Sequence, residues 1–160
     1  MDETAVTIRD SRDVGPDAVA FDIETPAGFD AAPGQFVKLI LAVDGEEVSR
    51  FYTLSSPRVG ETFEITVGID PEGDVSPKLR DLTAGDEVRI SGPYGNAYYE
   101  GESDVCLIAG GPGVGPAVGI AERVLEDGGD AAVVYRDDAP IHEPRLAALA
   151  DEGAFVEVLA

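Results

Sequence analysis

The spacing of the apolar residues changes once along the chain, near residue 100, and that change limits the fold more than any other feature. Before it, Phe63, Ile65, Val67 and Ile69 alternate with Thr62, Glu64 and Thr66, a period of two that puts the apolar side chains on one face of a strand. Similar short segments at 4–10, 18–26, 34–44, 46–56 and 86–93 are broken by Gly, Pro and Asp. With 61–70 they make six strands at close intervals, which predicts a closed antiparallel barrel or a sandwich. Within this region SPKLRDLTAGD predicts one helical turn, with Ser76 as N-cap, Pro77 at the first helical position and Gly85 past its end.

After the change, VCLIAGG is a continuous apolar run of the kind found in buried parallel strands. VGPAVGIAERVLEDGG is a helix stopped by Gly128 and Gly129, AAVVYRDD a second strand, EPRLAALADEG a second helix and AFVEVLA a third strand. The expected organisation is a barrel over 1–100 and a β-α-β-α-β unit with a parallel sheet over 101–160, joined near GESD.

Composition narrows the function classes. The 160 residues are 44% apolar, enough for a real core, and no stretch approaches the roughly 20 apolar residues of a membrane span. The MDETAVTIRD start lacks a secretory pattern, so a soluble, cytoplasmic protein is expected. A single cysteine, Cys106, excludes an intrachain disulfide or a thiolate metal cluster within this chain, and no metal site is expected. Acidic residues number 32 against 11 basic ones, a formal net charge of −21 that repels nucleic acid and anionic membranes. Because the excess is spread along the chain, it reads as adaptation to high salt, where screening acts over about 3 Å at about 1 M; the alternative is a docking face for a basic partner.

Two short segments carry chemistry. In RFYTLSS, Arg50 and Tyr52 point to the same side of an extended chain, about 6 to 7 Å apart, so one ligand with an anionic group and a flat ring could meet both. The plain alternative is a cross-strand packing Tyr52 and a solvated Arg50. In GGPGVGPA, Gly110, Gly111, Gly113 and Gly115 let backbone approach a phosphate while the helix beginning near Val114 turns its free N–H groups toward it; a tight turn without ligand is the alternative. The spacing is not the G-x-G-x-x-G fingerprint, because Pro116 and Val118 occupy the positions of its third glycine.

In order, PGQFVKL, RFYTLSS, GDVSPKL, GDEVRISGPYG and LIAGGPGVGP resemble the ferredoxin–NADP reductase superfamily over residues 30–160, and GDVSPKLRDLTAGDEV is especially similar to the bacterial ferredoxin/flavodoxin reductases. The resemblance implies a six-stranded antiparallel Greek-key barrel that binds FAD, followed by a short or truncated nucleotide-binding α/β unit that brings NADP or NAD against the flavin. It implies that Arg50 pairs with the FAD pyrophosphate, that Tyr52 stacks on the isoalloxazine ring and that Thr53, where serine is usual, hydrogen-bonds near the reactive nitrogen; Phe51 belongs to the same segment. It places Thr66, Val67 and Gly68 beside the ribityl and adenosine part, and Asp74, Val75 and the Ser76 hydroxyl on the pyrophosphate. Gly111, Pro112, Gly113 and Val114 would meet the pyridine nucleotide, and Arg136 would reach a 2′-phosphate, while Asp137 and Asp138 suit a ribose hydroxyl.

The implied activity is flavin-dependent NAD(P)H oxidoreduction with ferredoxin, flavodoxin or a small molecule as acceptor. The family's turn commonly has threonine in place of Pro112, and its nucleotide domain continues past the third strand to a C-G-x motif. The chain is therefore expected to be a fragment, or a short form whose sheet a partner chain completes. An electron-transfer subunit without its own pyridine-nucleotide site and an acidic interaction module are the competing classes. His142 is expected to be solvated or capping, Cys106 to be core, and GPYG at 92–95 to turn the chain where the two units meet.

Overall fold

The computed structural model describes residues 2–160. Its first 94 residues supply the strands β1 (Thr4–Gly15), β2 (Ala18–Glu24), β3 (Phe36–Val43), β4 (Glu46–Thr53), β5 (Thr62–Gly68) and β6 (Glu87–Tyr94). They form one sheet in the order β4-β3-β6-β1-β2-β5 with every neighbouring pair antiparallel. A bridge between Leu54 and Ile65 joins the two edge strands and closes the barrel. Closure needs bending, and β1 provides it: Thr4–Thr7 pair with β6, then a register shift after Ile8 passes the strand to β2. The β3–β4 hairpin turns at Asp44 (φ 52°) and Gly45 (φ 83°), the pair of positive φ values that a two-residue turn matching strand twist requires.

Ile8, Phe21, Ile23, Val37, Leu39, Leu54, Phe63, Ile65, Val67 and Ile90 fill the barrel, each at most 2% exposed. The short helix α1 (Ser76–Arg80) closes one end by placing Leu79 in that core. Its N-cap position is Val75 rather than Ser76, because the Ser76 hydroxyl bonds the backbone of Asp70 instead of the helix.

The second sheet is parallel, in the order β7 (Asp104–Gly110), β8 (Asp130–Arg136), β9 (Phe155–Leu159). Helix α2 (Val114–Glu126) follows β7 through a 3-10 turn at Gly111–Gly113, and α3 (Glu143–Asp151) follows β8. Val114, Val118, Ala121 and Val124 of α2 recur every three or four residues and pack on Val133 and Tyr135 of β8 with Leu146 and Leu149 of α3. Burying a valine or leucine in this way contributes about 1.5–3 kcal/mol each.

One face of this sheet is covered and the other is not. Along β7 the exposed residues are Asp104, Cys106, Ile108 and Gly110, with Ile108 85% exposed, and on β9 Phe155 is 59% exposed. Cys106, expected in the core, is thus an exposed residue, because apolar runs of parallel strands require cover on both faces and here both helices lie on one.

Candidate functional site

Arg50 and Tyr52 lie opposite Leu39 and Val37 in the β3–β4 ladder, so they share the face that looks into the barrel. Tyr52 is half-buried and packs against the barrel core, and Val75 and Leu79 belong to that same core. Burial pushes the Tyr52 hydroxyl above its ordinary value, with Arg50 acting weakly the other way. Arg50 is exposed, and among the described residues its guanidinium donates only to the Ser49 carbonyl, at 2.8 Å.

That absence of a carboxylate is informative in so acidic a chain. Arg9, Arg12, Arg58, Arg89, Arg123 and Arg145 each pair with an acidic side chain. Among the described residues, Lys38, Arg50, Lys78, Arg80 and Arg136 have no such partner. Arg50 and Arg136 are the two arginines expected at phosphates.

Phe51 is turned away from this face. Strand alternation puts it on the outside, 60% exposed, edge-on to Phe36 and Tyr94 with ring centroids 5.7 and 6.2 Å away, so only its backbone remains beside the Arg50–Tyr52 pair. Thr53, half-buried at the end of β4, lies opposite Phe36, and its hydroxyl has no hydrogen-bond partner among the described residues.

At the second phosphate segment the chain closes on itself. The Ser76 hydroxyl lies 2.8 Å from the Asp70 amide nitrogen, from which it accepts, and 3.3 Å from the Asp70 carbonyl, and the Gly73 amide also reaches that carbonyl. The Ser76 oxygen is therefore spent on holding the loop, and Val75 is buried at 6% exposure. Asp74, Val75 and Ser76 present backbone amides at the start of α1.

On β5 the Val67 side chain is in the core, and the Thr66 hydroxyl faces the α/β unit, where it bonds Ser55 and His142. Gly68 touches the nucleotide turn directly: a Cβ there would sit 2.5 Å from the Pro112 ring. The turn itself begins with Gly111 at φ +56°, and nothing lies within 4 Å of where Cβ atoms of Gly111 and Gly113 would be. Backbone with open space above it, at the start of an α-helix of 13 residues, is the geometry that admits a phosphate. Val114 is fully buried and contributes only its backbone to that turn.

Arg136, the last residue of β8, is in register with Gly110 and exposed beside the turn. Asp137 is committed elsewhere, accepting from the Tyr135 hydroxyl at 2.8 Å and from the Ala139 amide at 3.0 Å. GPYG ends β6 with a cis Gly92–Pro93 bond, and the Tyr94 hydroxyl is 2.8 Å from Ser91 Oγ.

Sequence reasoning missed a polar cluster between the two units. Glu64 on β5, Ser55, Thr66, Arg12 on β1, and His142, Arg145 and Glu122 of the α/β unit are joined by hydrogen bonds, and Glu64 and His142 are only 6% and 2% exposed. His142 is therefore neither solvated nor a side-chain cap. Burial, then the Arg145 charge, pushes its imidazole down to about 4. Burial raises the Glu64 carboxyl, but Arg145, the Ser55 hydroxyl and Arg12 outweigh it and hold the group below the usual carboxylate range. The available signal was an acidic residue inside the strongest alternating strand.

The architecture, an antiparallel barrel with an arginine and a tyrosine on one face of β4, whose β5 touches the glycine turn of a parallel α/β unit through Gly68 and Pro112, defines the ferredoxin–NADP reductase-like class. The family described as "Oxidoreductase FAD-binding domain" matches residues 5–99, and the chain belongs to it. The chain is 38% identical over 119 residues to the glycine betaine monooxygenase reductase subunit of Pseudomonas aeruginosa (strain UCBPP-PA14), covering 72% of this chain and 32% of that protein. It is 43% identical over 100 residues to the protein of the same name from Chromohalobacter salexigens, covering 60% of this chain and 27% of that protein. It thus spans about a third of the curated relatives it matches.

Among solved structures, the FAD/NAD binding domain of nitric oxide dioxygenase from Vibrio cholerae superposes with a TM-score of 0.84 at 22% identity, covering 99% of this chain and 74% of that one. Ferredoxin-NADP+ reductase from Plasmodium falciparum gives 0.83 at 15% identity, covering 98% and 70%. These two likenesses bear on the fold alone. Among the described residues no helix is long and apolar enough to cross a membrane.

Proposed function

We propose that the chain binds FAD at the barrel mouth and forms the flavin half of an NAD(P)H-dependent oxidoreductase. The observation that carries this is Arg50: a cation on the same face as a half-buried tyrosine, without a carboxylate partner in a chain of net charge −21. Arg50 would hold the pyrophosphate as a multidentate donor, Tyr52 would offer its ring face to the isoalloxazine, and the 74–76 amides would share the phosphate charge. Thr53, with an unengaged hydroxyl, would hydrogen-bond the ring edge, and the backbone of Val67 and Gly68 would line the side nearest Pro112. A bound flavin supplies the step between two-electron donors and one-electron acceptors. The protein's task is to position the two rings.

The open turn at Gly111–Val114 would take the pyridine nucleotide. Free Arg136 favours NADP, since its guanidinium is left to meet a 2′-phosphate; Asp137 is folded back onto Tyr135 and Ala139, while exposed Asp138 is the carboxylate left for a ribose hydroxyl in the NAD alternative. The acceptor fits the pattern of the reductase subunits the chain resembles, which names a protein component, with ferredoxin or flavodoxin as candidates; a small molecule is the other outcome. The bare face of Ile108 and Phe155 would be covered by further polypeptide, in cis or from a partner chain. The acid excess fits a cytoplasm of high salt.

The test is the visible spectrum of the chain purified in molar KCl and given FAD, before and after anaerobic NADPH or NADH. A bound-flavin spectrum that bleaches faster with NADPH supports every step. No bound flavin overturns the reading, and bound flavin that stays oxidised with both nucleotides confines it to the barrel.

A further inference from the structure

The two units meet through polar groups where an apolar seam would be expected, and those groups form one continuous path. The Thr66 hydroxyl donates to Ser55 Oγ at 2.9 Å, and Ser55 Oγ donates to Glu64 Oε1 at 2.6 Å. The His142 Nε2 atom lies 2.8 Å from Thr66 Oγ1, whose own proton is used on Ser55, so Nε2 carries the hydrogen and donates. The other ring nitrogen then accepts, and Arg145 Nη1 stands 3.5 Å from it. Arg145 closes the circuit with bonds of 2.6 Å to Glu64 Oε1, to the Ser55 carbonyl and to Glu122 Oε1. Arg12 from β1 pairs with Glu64 from the other side, and the His142 amide donates to the Val14 carbonyl at 2.8 Å.

The direction of every proton in this path is set by its neighbour, so it has one arrangement. A slide of α3 along the barrel would break several bonds at once and strand buried charges. Helix α2 adds a hard stop: a Cβ on Gly115 would lie 2.6 Å from Thr66 Oγ1, and one on Gly119 would lie 2.8 Å from the Ser55 carbonyl. The helix already rests on the same two rungs, Ser55 and Thr66, that the hydrogen bonds hold. Those rungs are continuous with the proposed site, because Ser55 follows Thr53 and Thr66 precedes the Gly68–Pro112 contact.

We propose that Ser55, Glu64, Thr66, His142 and Arg145 form an interdomain latch that holds the glycine turn of the α/β unit at one fixed angle to the barrel mouth. They are positioning residues: none of their side chains lies on the face that carries Arg50 and Tyr52. The kinetic part of this inference rests on the flavin reading above; the geometric part does not. Because Glu64 and His142 are buried and the Arg145 side chain is 24% exposed, salt screens the latch much less than the exposed pairs Arg9–Glu24 and Arg58–Glu126.

The experiment uses the whole chain with Cys106, its exposed native thiol, as one spin-label position and Glu46→Cys at the exposed end of β4 as the other. The unaltered latch gives one narrow distance distribution, and Arg145→Met broadens it or adds a second population, with Arg145→Lys in between. Arg145→Met also slows reduction of bound FAD at saturating nucleotide by on the order of tenfold to a hundredfold, the effect of roughly 1 Å of misplacement, while FAD affinity stays within about threefold. An unchanged distribution in Arg145→Met overturns the latch. Should that variant not fold, His142→Gln, which keeps one donor and loses the ring, serves instead, and a distribution that stays narrow in it overturns the latch equally. A parent protein that binds FAD but is not reduced by NADPH or NADH counts against the nucleotide step of the proposed function, and the distance measurement still decides the latch.

Discussion

His142 makes stability depend on pH, and its buried neighbour Glu64 acts in the same direction. The imidazole is 2% exposed, Arg145 and Arg12 face it together with the Glu64 carboxylate, and its folded value is pushed from 6.5 to about 4. Asp13 and Glu143 line the cavity next to it. The unfolded chain therefore takes up a proton at higher pH than the folded one, and stability rises with pH between those two values. The His142 contribution is fully present above about 6.5 and is lost as pH falls through about 4, by about 1.4 kcal/mol per unit, or on the order of 3 kcal/mol at most. Glu64, held below the usual carboxylate range, also loses stability as pH falls, so it adds to the His142 effect instead of opposing it. Comparison with His142→Gln separates the two, because both proteins share the carboxylates. Urea unfolding of each at about pH 7.5 and about pH 4.5, in fixed molar KCl, should show the parent losing about 2 to 3 kcal/mol more than the variant. Equal losses would refute the argument, because an imidazole held neutral by burial cannot titrate like one in water.

Arg50→Met should weaken FAD binding by roughly 10- to 100-fold, from loss of charge-assisted hydrogen bonds of about 1.5–3 kcal/mol, and leave unfolding stability within about 0.5 kcal/mol; equilibrium dialysis with flavin fluorescence and urea unfolding measure the two. Arg136→Glu should abolish any preference for NADPH over NADH in the anaerobic bleaching assay, and an unchanged preference would remove Arg136 from the site. Gly119→Ala should destabilise the protein by about 1–3 kcal/mol, because a methyl 2.8 Å from the Ser55 backbone cannot be accommodated by a side-chain movement. Thermal unfolding would show it, and a neutral substitution would mean that α2 is not seated on the barrel. Raising KCl from about 0.1 M to about 2 M should raise the melting temperature if the acid excess is a salt adaptation, since screening shortens to a few Å.

Much of the architecture is legible because period two and period 3.6 are local. Phe63, Ile65 and Val67 alternate whatever surrounds them, and Val114, Val118, Ala121 and Val124 mark one helix face. What cannot be read locally is which of two faces a distant segment will cover. Glu64 and Thr66 occupy the polar face of their strand, which in a lone barrel would meet water; α2 and α3 arrive some 50 to 80 residues later and bury it, as the 2.6 Å Arg145–Glu64 contact, separated by 81 residues, shows. Cys106 and Ile108 err in the opposite direction, since an apolar run signals cover that these residues do not receive from α2 or α3. The Arg50–Tyr52 pairing followed from alternation, and the same alternation sends the Phe51 side chain outward, so only the backbone of that residue belongs to the segment's candidate site.

The distribution of paired and unpaired cations ties site and scaffold together. With 32 acidic residues against 11 basic ones, an arginine on this surface finds a carboxylate nearby unless its position keeps carboxylates away. The arginines that do find one stitch elements: Arg89 joins the chain start to β4 through Glu3 and Glu47, Arg58 reaches Glu126 on α2, and Arg12 and Arg145 converge on Glu64. Those that do not include Arg50 at the barrel mouth, Lys78 and Arg80 on the helix that follows Asp74–Ser76, and Arg136 beside the glycine turn. A surface selected only for negative charge would neutralise such groups or replace them. Under the proposed function these free cations would supply counter-charge to anionic ligands, while Asp137 is kept folded back onto Tyr135. At the joint between the two units the pattern is reversed: buried Glu64 and half-buried Glu122 both hold Arg145, so the cation that faces the barrel there is fully committed to the latch.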